Sequence, residues 1–277
     1  MNVGSIGEFV LQVRLRLKHR KTFEFRGFAV HSWLAESTGA PEQHYETFAA
    51  LHEQLVETLI PVAPHHVVLE AGCGTGMDAM LLTGRLSREG RYTGFDIAAR
   101  NVRWCTARIT ERFPNFRFHH FDIRNETYNR KGKLAATSVR FPEGDGVVDR
   151  FIAQSVFTHL LSDVSAHYLH ELRRVLRPDG LAMISCFVGT PEEIRSSSQS
   201  AVPIFRFVHE HSPGVFVHRR YRPSDAVAYE RQTFERLLAE AGLSLTTFLP
   251  GYWAQGRPAT HIGQDIIVLA PTAGVAH

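Results

Sequence analysis

The chain has 277 residues, of which 44% are hydrophobic, and its 31 lysines and arginines nearly balance its 28 aspartates and glutamates. This length and composition predict one α/β domain with additions and a sizeable buried core. The net charge of +3 is too small to make nucleic acid the default partner.

The cysteines and the apolar runs indicate where the protein resides. The 3 cysteines are odd in number and far apart, which is typical of reduced residues and not of a disulfide framework. No apolar run approaches the length of a membrane span, and the N-terminus lacks a signal-like apolar stretch. We therefore expect a cytoplasmic protein without a transmembrane segment. The sequence leaves the oligomeric state open.

Residues 1–60 precede the regular alternation of strands and helices, and we predict that they form an N-terminal helical extension. A basic segment near the start has apolar residues at helical spacing, namely Phe9, Val10, Val13 and Leu17. An amphipathic helix packed on the domain is favoured over a helix that covers the active site or an acidic surface. Residues 42–60 predict a further helix, which the prolines after it would end.

Alternating glycines follow a short apolar run at residues 67–76, which read VVLEAGCGTG. The β-branched run predicts a buried parallel strand. Gly72, Gly74 and Gly76 allow a tight turn and let a ligand approach main-chain atoms. Thr75 can cap a helix predicted to follow the loop. A strand, a glycine-rich turn and a helix in this order bind nucleotide-like cofactors in doubly wound folds.

The glycine spacing separates two classes of cofactor. The dinucleotide pattern Gly-x-Gly-x-x-Gly would need its last glycine at the position of Met77. Glu70, before the first glycine, fits poorly beside a pyrophosphate and suits a ligand with positive charges, such as the amino group and sulfonium of S-adenosylmethionine. The loop residues predicted to bind this ligand are Glu70, Gly72, Cys73, Gly74 and Gly76.

Acidic residues also end the next predicted strands. Asp96 ends a strand over residues 91–97, where a carboxylate can accept hydrogen bonds from both hydroxyls of a ribose. The alternative role for Asp96 is a cap of the helix predicted over residues 98–113. Asp122 ends the following strand and could bind the exocyclic amine of adenine, or could likewise be only a cap. The residues predicted to bind the cofactor here are Asp96, Ile97, Asp122 and Ile123, the last against the adenine ring face.

With these motifs the chain resembles the class I S-adenosylmethionine-dependent methyltransferases over residues 67–188, and more loosely to its C-terminus. The resemblance also rests on the block VVDRFIAQSVFTHL at residues 147–160. In that family the block is a fourth strand whose end passes under the cofactor, which implies binding roles for Gln154 and Ser155. A helix, an Arg-Pro-Asp-Gly turn at residues 177–180 and another strand follow in the family's order.

The resemblance implies an α/β fold with a Rossmann-like, doubly wound, mostly parallel seven-stranded sheet and helices on both faces. The methyltransferase domain would occupy residues 61–277, and S-adenosylmethionine would be its cofactor. The C-terminal part continues the alternation, with a helix predicted over residues 226–241 and strands over residues 243–248 and 264–270.

Long insertions are candidates for contact with the methyl acceptor. Residues 125–146 exceed a simple connection, and residues 190–225 lie between the fifth strand and the next helix. Long connections in compact domains are usually functional or disordered, and the aromatic residues of the second insertion argue against disorder. We predict that residues 190–225, named the lid here, cover the acceptor pocket.

Three residues outside the cofactor motifs are candidates for contact with the acceptor. His159 follows the predicted fourth strand, and its unperturbed pKa near neutrality suits a general base toward a hydroxyl. Alternatively, His159 caps its loop or packs under the cofactor. Tyr252 and Trp253 follow the sixth strand and either line an aromatic acceptor site or belong to the core.

Histidine is abundant, with 16 in the chain, but its spacing does not indicate a metal site. Adjacent pairs at residues 65–66 and 119–120 would point to opposite faces of a strand. The triplet HEH at residues 209–211 lacks the spacing of metalloproteases. We expect no bound metal.

The predicted function is therefore methyl transfer from S-adenosylmethionine to a small-molecule acceptor, most simply a hydroxyl of a secondary metabolite or sugar-like compound. Alternatives are an N-methyltransferase of small molecules, a nucleotide-binding oxidoreductase and a non-catalytic cofactor-binding protein. Nucleic acid is not expected, because amino-methyltransferases of nucleic acids carry an Asn- or Asp-Pro-Pro-aromatic element where this chain has QSVF at residues 154–157.

Overall fold

The computed structural model describes residues 21–126, 128–199, 205–257 and 262–272. The described part of the extension begins with a hairpin of β1 (Thr22–Phe25) and β2 (Phe28–His31) and continues with helices α1 (Ser32–Ser37) and α2 (Glu42–Leu59). Helix α2 confirms the helix predicted over residues 42–60. The hairpin corrects the prediction of a wholly helical extension. The amphipathic helix predicted around residues 9–17 lies outside the described residues.

The remaining elements alternate along the chain. The strands are β3 (Val67–Ala71), β4 (Arg91–Asp96), β5 (Phe116–His120), β6 (Val148–Ala153), β7 (Leu176–Cys186), β8 (Val188–Gly189), β9 (His209–Ser212), β10 (Val215–Val217), β11 (Val227–Glu230), β12 (Leu243–Leu249) and β13 (Asp265–Pro271). The helices are α3 (Met77–Leu82), α4 (Ala99–Cys105), α5 (Ser162–Val175), α6 (Pro191–Ser196) and α7 (Arg231–Glu240). Among the helices of the described ranges, none is long and apolar enough to cross a membrane.

A seven-stranded sheet with the order β12-β13-β7-β6-β3-β4-β5 forms the centre of the fold. Its pairs are parallel except those of β13, which is antiparallel to both neighbours. This arrangement confirms the predicted doubly wound, mostly parallel α/β fold. Because β3, β4, β5 and β6 are parallel, their carboxyl ends meet at one edge of the sheet.

Apolar side chains pack on both faces of this sheet. Leu69 and Phe151 join a core that includes residues of α5 and α7. Their chain neighbours Val68 and Ile152 join a second core, which includes Tyr45 of α2 and the phenylalanines of the hairpin. Successive strand residues point to opposite faces, so a continuous apolar run buries both sides at once. The extension thus provides one of the two layers that cover the sheet.

A second, four-stranded sheet with the order β8-β11-β10-β9 contains two strands of the lid. Residues 226–241, predicted as one helix, instead form β11 followed by α7. Residues 227–230 form a strand because of tertiary pairing, since β11 is parallel to β8 and antiparallel to β10. The described lid residues, 190–199 and 205–225, are therefore anchored to the end of β7 by backbone pairing.

Two smaller differences concern element ends. The helix predicted over residues 98–113 ends as an α-helix at Cys105 and continues as a π-helical turn, Thr106–Thr110. The predicted Arg-Pro-Asp-Gly turn lies within β7, whose pairing with β6 jumps from Leu176 to Leu181. Residues 177–180 thus belong to β7 at an irregularity in its pairing with β6, where a turn was predicted.

Candidate cofactor and acceptor site

The glycine loop lies at the carboxyl edge of the sheet, between β3 and α3. The N–H groups of Gly72 and Cys73 both donate to the carbonyl oxygen of Phe95, at 2.8 and 3.1 Å. Gly72 has a φ of 70°, and a Cβ placed on it would lie 2.5 Å from Cγ2 of Val156. Only glycine fits both this backbone conformation and this close approach. Gly72 is exposed, so its main chain is accessible to a ligand.

The extension closes over the same loop. A Cβ on Gly74 would lie 3.0 Å from Cγ2 of Thr38, at the end of α1. The hydroxyl groups of Tyr45, on α2, and Thr75 share a buried hydrogen bond of 2.8 Å. These contacts involve the loop itself, so the extension forms part of the wall around it.

Asp96 joins the end of β4 to the glycine loop. Its Oδ2 accepts the N–H of Gly74 at 2.9 Å, and its Oδ1 accepts the N–H of Ala98 at 2.7 Å. Burial raises the pKa of Asp96, although these backbone donors act in the opposite direction. Each carboxylate oxygen retains a lone pair beyond its backbone bond, so the group can still accept hydrogen bonds from a ligand. Asp96 thus caps the following turn and also presents acceptors at the sheet edge.

Glu70 has a different environment from the one expected. Its side chain is buried, and its carboxyl group accepts a hydrogen bond from the hydroxyl of Tyr92. Burial and the nearby carboxylate of Asp78 raise the pKa of Glu70 well above its ordinary value. In the structure Glu70 contacts Tyr92, and its role toward the positive charges of the cofactor stays a prediction.

Asp122 lies beside Asp96, because the N–H of Phe121 donates to the carbonyl oxygen of Asp96 at 3.0 Å. Oδ1 of Asp122 accepts a hydrogen bond of 3.0 Å from the side-chain amide of Asn129. Ile123 is 3% exposed and packs in the core, and its contact with an adenine ring stays a prediction. Asp122 therefore lies at the strand end, while the side chain of the next residue, Ile123, turns into the core.

The end of β6 combines backbone strain with a buried polar group. Ser155 is not a glycine but has a φ of 54°, a conformation that is stable only where its surroundings fix it. Its N–H donates to Oγ of Ser185 at 2.6 Å, and its Oγ accepts from Nε2 of Gln264 at 2.9 Å. Nε2 of Gln154 is buried and has no hydrogen-bond partner among the described residues. This strand end therefore has an unused donor for a bound group.

Ser185 and Gln264 are positioning residues that the sequence reasoning missed. Oγ of Ser185 donates to Oε1 of Gln264 at 2.6 Å, so the two side chains hold Ser155 in its strained conformation. The available signal was weak, because a buried serine in β7 and a glutamine just before β13 become neighbours only through the antiparallel pairing of these strands.

His159 lies in a single helical turn, Phe157–His159, between the end of β6 and the lid. Its Nδ1 is 2.9 Å from the carbonyl oxygen of Ser224. Because a carbonyl oxygen only accepts, Nδ1 carries the ring proton, and Nε2 is the basic nitrogen of the neutral ring. Burial lowers the pKa of His159, against the opposing effect of the Ser224 and Asp225 backbone. The ring is therefore neutral at neutral pH and able to accept a proton.

Trp253 is a core residue, which favours the core role among the two that the sequence left open. The side chain is 0% exposed and packs edge-on against Phe187 and Phe207, with ring centroids 5.6 Å apart in each pair. Its Nε1 donates to Oδ2 of Asp265 at 2.9 Å, which satisfies the buried indole. Tyr252 is only partly buried and keeps one face accessible.

Comparison with known proteins shows what this part of the chain resembles. Residues 68–180 match a family model described as a methyltransferase domain, which covers the glycine loop, Asp96, Asp122 and the end of β6. In this part the chain is similar to S-adenosylmethionine-dependent methyltransferases.

Curated relatives carry a description that agrees with this match. The chain is 31% identical to a Mycolicibacterium smegmatis protein named "probable S-adenosylmethionine-dependent methyltransferase", over 61% of this chain and 54% of that protein. It is 29% identical to a Mycobacterium tuberculosis protein of the same description, over 56% of this chain and 47% of that protein. The chain thus spans about half the length of the curated relatives that it matches.

Solved structures share the fold of this chain. The PH0226 protein of Pyrococcus horikoshii has a TM-score of 0.55 and 16% identity, with 83% of this chain and 92% of that chain covered. A geranyl diphosphate methyltransferase in complex with S-adenosylmethionine has a TM-score of 0.51 and 16% identity, with 88% and 92% covered. At this level of identity the likeness concerns the fold alone.

Proposed function

We propose that this chain transfers the methyl group of S-adenosylmethionine to a hydroxyl of a small molecule, such as a secondary metabolite or a sugar-like compound. The observation that carries the proposal is the neutral His159, whose basic Nε2 lies beside the strand end that passes under the cofactor in this family. A hydroxyl must lose its proton as it is methylated, so a positioned neutral base is useful for oxygen acceptors. An amine acceptor is nucleophilic in its neutral form and has less need of such a base.

In this proposal the cofactor lies along the carboxyl edge of the sheet. Asp96 accepts hydrogen bonds from the ribose hydroxyls, and Asp122 accepts one from the adenine amine. The methionine end lies over the main chain of Gly72 and Gly74, and Nε2 of Gln154 donates to it. The unused donor of Gln154 and the glycine cradle that a Cβ would fill support this placement. Cys73, Gly76, Ile97 and Ser155 shape the same edge through their backbone.

When bound, S-adenosylmethionine supplies a methyl group whose carbon–sulfur bond is activated by the sulfonium charge. The protein contributes position and exclusion of water, which can provide much of the acceleration of a displacement reaction. The lid covers the acceptor, and Nε2 of His159 takes the hydroxyl proton as the oxygen–carbon bond forms. The imidazolium of His159 then holds this proton and releases it to solvent after the product departs.

We expect Asp96→Ala to weaken binding of S-adenosylhomocysteine by about 1.5–3 kcal/mol, the range for hydrogen bonds to charged groups. This corresponds to about 10- to 150-fold in the dissociation constant, measured by calorimetry. A matched control is Asp179→Ala, which removes an exposed aspartate from β7 at the opposite end of the sheet. Equal affinities of the parent and the folded Asp96 variant would show that the ribose binds elsewhere.

The proposed reaction is tested by release of S-adenosylhomocysteine with pairs of acceptors that differ only in a hydroxyl or an amine. We expect turnover with hydroxyl compounds and little with their amine counterparts. Turnover with amines alone would establish an N-methyltransferase. Binding of a nicotinamide dinucleotide, with no binding of S-adenosylmethionine, would contradict the cofactor assignment and restore the oxidoreductase alternative.

A further inference from the structure

A polar cleft of about 300 Å³ separates the segment after β5 from the end of the lid. Its lining residues are Arg124, Asn125, Glu126, Arg130, Tyr221 and Arg222. The lining thus contains three arginines against one glutamate, in a chain whose overall charge is nearly balanced. Such an excess of guanidinium groups in one concave surface attracts anions.

The arginines of this cleft are not neutralised by nearby acids. Within the described ranges, Arg124, Arg130 and Arg222 form no ion pair. The guanidinium Nε of Arg130 donates to the main-chain oxygen of Glu126 at 2.8 Å, which fixes the side chain without removing its charge. By contrast, Arg219 in the same part of the lid pairs with Asp225 at 3.0 Å. The cleft therefore retains donors for a ligand.

Chain neighbours of the lining residues on both sides of the cleft contact His159. Tyr128 lies between Glu126 and Arg130 in the chain, and its ring meets the His159 ring edge-on with centroids 5.6 Å apart. On the other side, the carbonyl oxygen of Ser224, two residues after Arg222, binds Nδ1 of His159. A molecule anchored in the cleft is thus held next to the proposed base.

We propose that the methyl acceptor carries a phosphate or diphosphate group, and that Arg124, Arg130 and Arg222 bind this group. The inference rests on the proposed function, because it concerns the substrate of the same site. Guanidinium groups are suited to phosphate, since each presents parallel N–H donors that can bind two oxygens at once. The volume of the cleft suits one such group with part of its carrier, and the anchored group orients the hydroxyl toward Nε2 of His159.

The test measures binding of pyrophosphate and of inorganic phosphate to the full chain saturated with S-adenosylhomocysteine, at constant ionic strength. We expect the parent to bind pyrophosphate more tightly than citrate, which has similar charge but carboxylate groups. The double variant Arg124→Gln/Arg222→Gln should lose about tenfold or more in pyrophosphate affinity, since each change removes charged hydrogen bonds. The matched control Arg219→Gln, which breaks an existing ion pair, should keep the parent affinity within about twofold.

Several results would overturn the inference. They are unchanged pyrophosphate affinity in the double variant, tighter binding of citrate than of pyrophosphate, and binding of single-stranded RNA with no binding of pyrophosphate or inorganic phosphate. The single variants Arg124→Gln and Arg130→Gln change exposed side chains, and they decide the result if the double variant does not fold. Binding of S-adenosylhomocysteine is measured in each sample, so that loss of the cofactor site is distinguished from loss of the anion site.

Discussion

His159→Ala is expected to lower turnover by about 10²–10⁴-fold, the usual contribution of a general base, while the affinity for S-adenosylhomocysteine stays unchanged. The Nδ1 proton of His159 is fixed by the carbonyl oxygen of Ser224, so Nε2 is the nitrogen that can accept the hydroxyl proton. His159→Gln sharpens the result, because its amide can still donate to Ser224 but cannot act as a base. Both variants should therefore lose turnover to a similar extent.

The pH dependence of the parent separates this role from a structural one. Burial lowers the pKa of His159 below its ordinary value of 6.5. The ring is therefore neutral, and active as a base, throughout neutral pH, and kcat/KM should fall only as the pH drops through this lowered pKa. The variants should lack this acid limb. As a control, His167→Ala removes a histidine whose Nε2 contacts the carbonyl oxygen of Val139 at 2.6 Å, away from the site. An unchanged rate in the His159 variants would make His159 a structural residue of the lid contact.

Asp265→Ala is expected to lower the free energy of unfolding by about 3–5 kcal/mol, because it would leave the buried guanidinium group of Arg257 with only the partly exposed Glu193 as an acidic partner, 3.1 Å from its Nε. Asp265 is 0% exposed and accepts the N–H of Gly251 and of Val188, each at 2.8 Å. It also pairs with the guanidinium group of Arg257, which is 4% exposed. The change therefore breaks the contact that holds the lid sheet and the segment after β12 to the start of β13.

Denaturant unfolding measures this effect, and a double variant tests its cause. Asp265→Ala/Arg257→Met removes both charges of the buried pair and should be more stable than Asp265→Ala alone, since no buried guanidinium group is then left with only Glu193 as its partner. Glu192→Ala, which breaks an exposed ion pair with Arg195 on α6, should leave the unfolding curve unchanged. If the single and double variants lose the same stability, the cost does not come from the stranded charge.

The sequence was sufficient for those features that depend on neighbouring residues. The run VVLE before the glycine loop indicated a buried strand, and Asp96 and Asp122 at the following strand ends fixed the edge that carries the site. The hairpin was missed because its turn is Arg26-Gly27, with φ values of 49° and 78°, whereas asparagine or aspartate before glycine is the usual signal.

Other errors arose where distant residues decide the local structure. Residues 227–230 have no strong local preference against helix, and they form a strand because β8 and β10 lie on either side of them. Trp253 looked available for a ligand, but its indole finds Asp265 across the fold. Glu70 was predicted from its position alone to contact the cofactor, whereas its contacts with Tyr92 and its proximity to Asp78 depend on packing. Such partners are defined by packing and cannot be read from spacing.

The closure of the extension over the glycine loop affects how the protein can be divided. Nδ1 of His52 contacts Oδ1 of Asp78 at 3.1 Å, and Tyr45 holds Thr75, so α2 is joined to α3 and to the loop by buried polar contacts. Tyr45 and Val56 also complete the core on one face of the central sheet. A truncated chain that starts at residue 61 would expose that face to water. The unit that folds by itself therefore includes the hairpin and α2. A chain that starts at residue 61 keeps the recognised motifs but is not expected to fold without these elements.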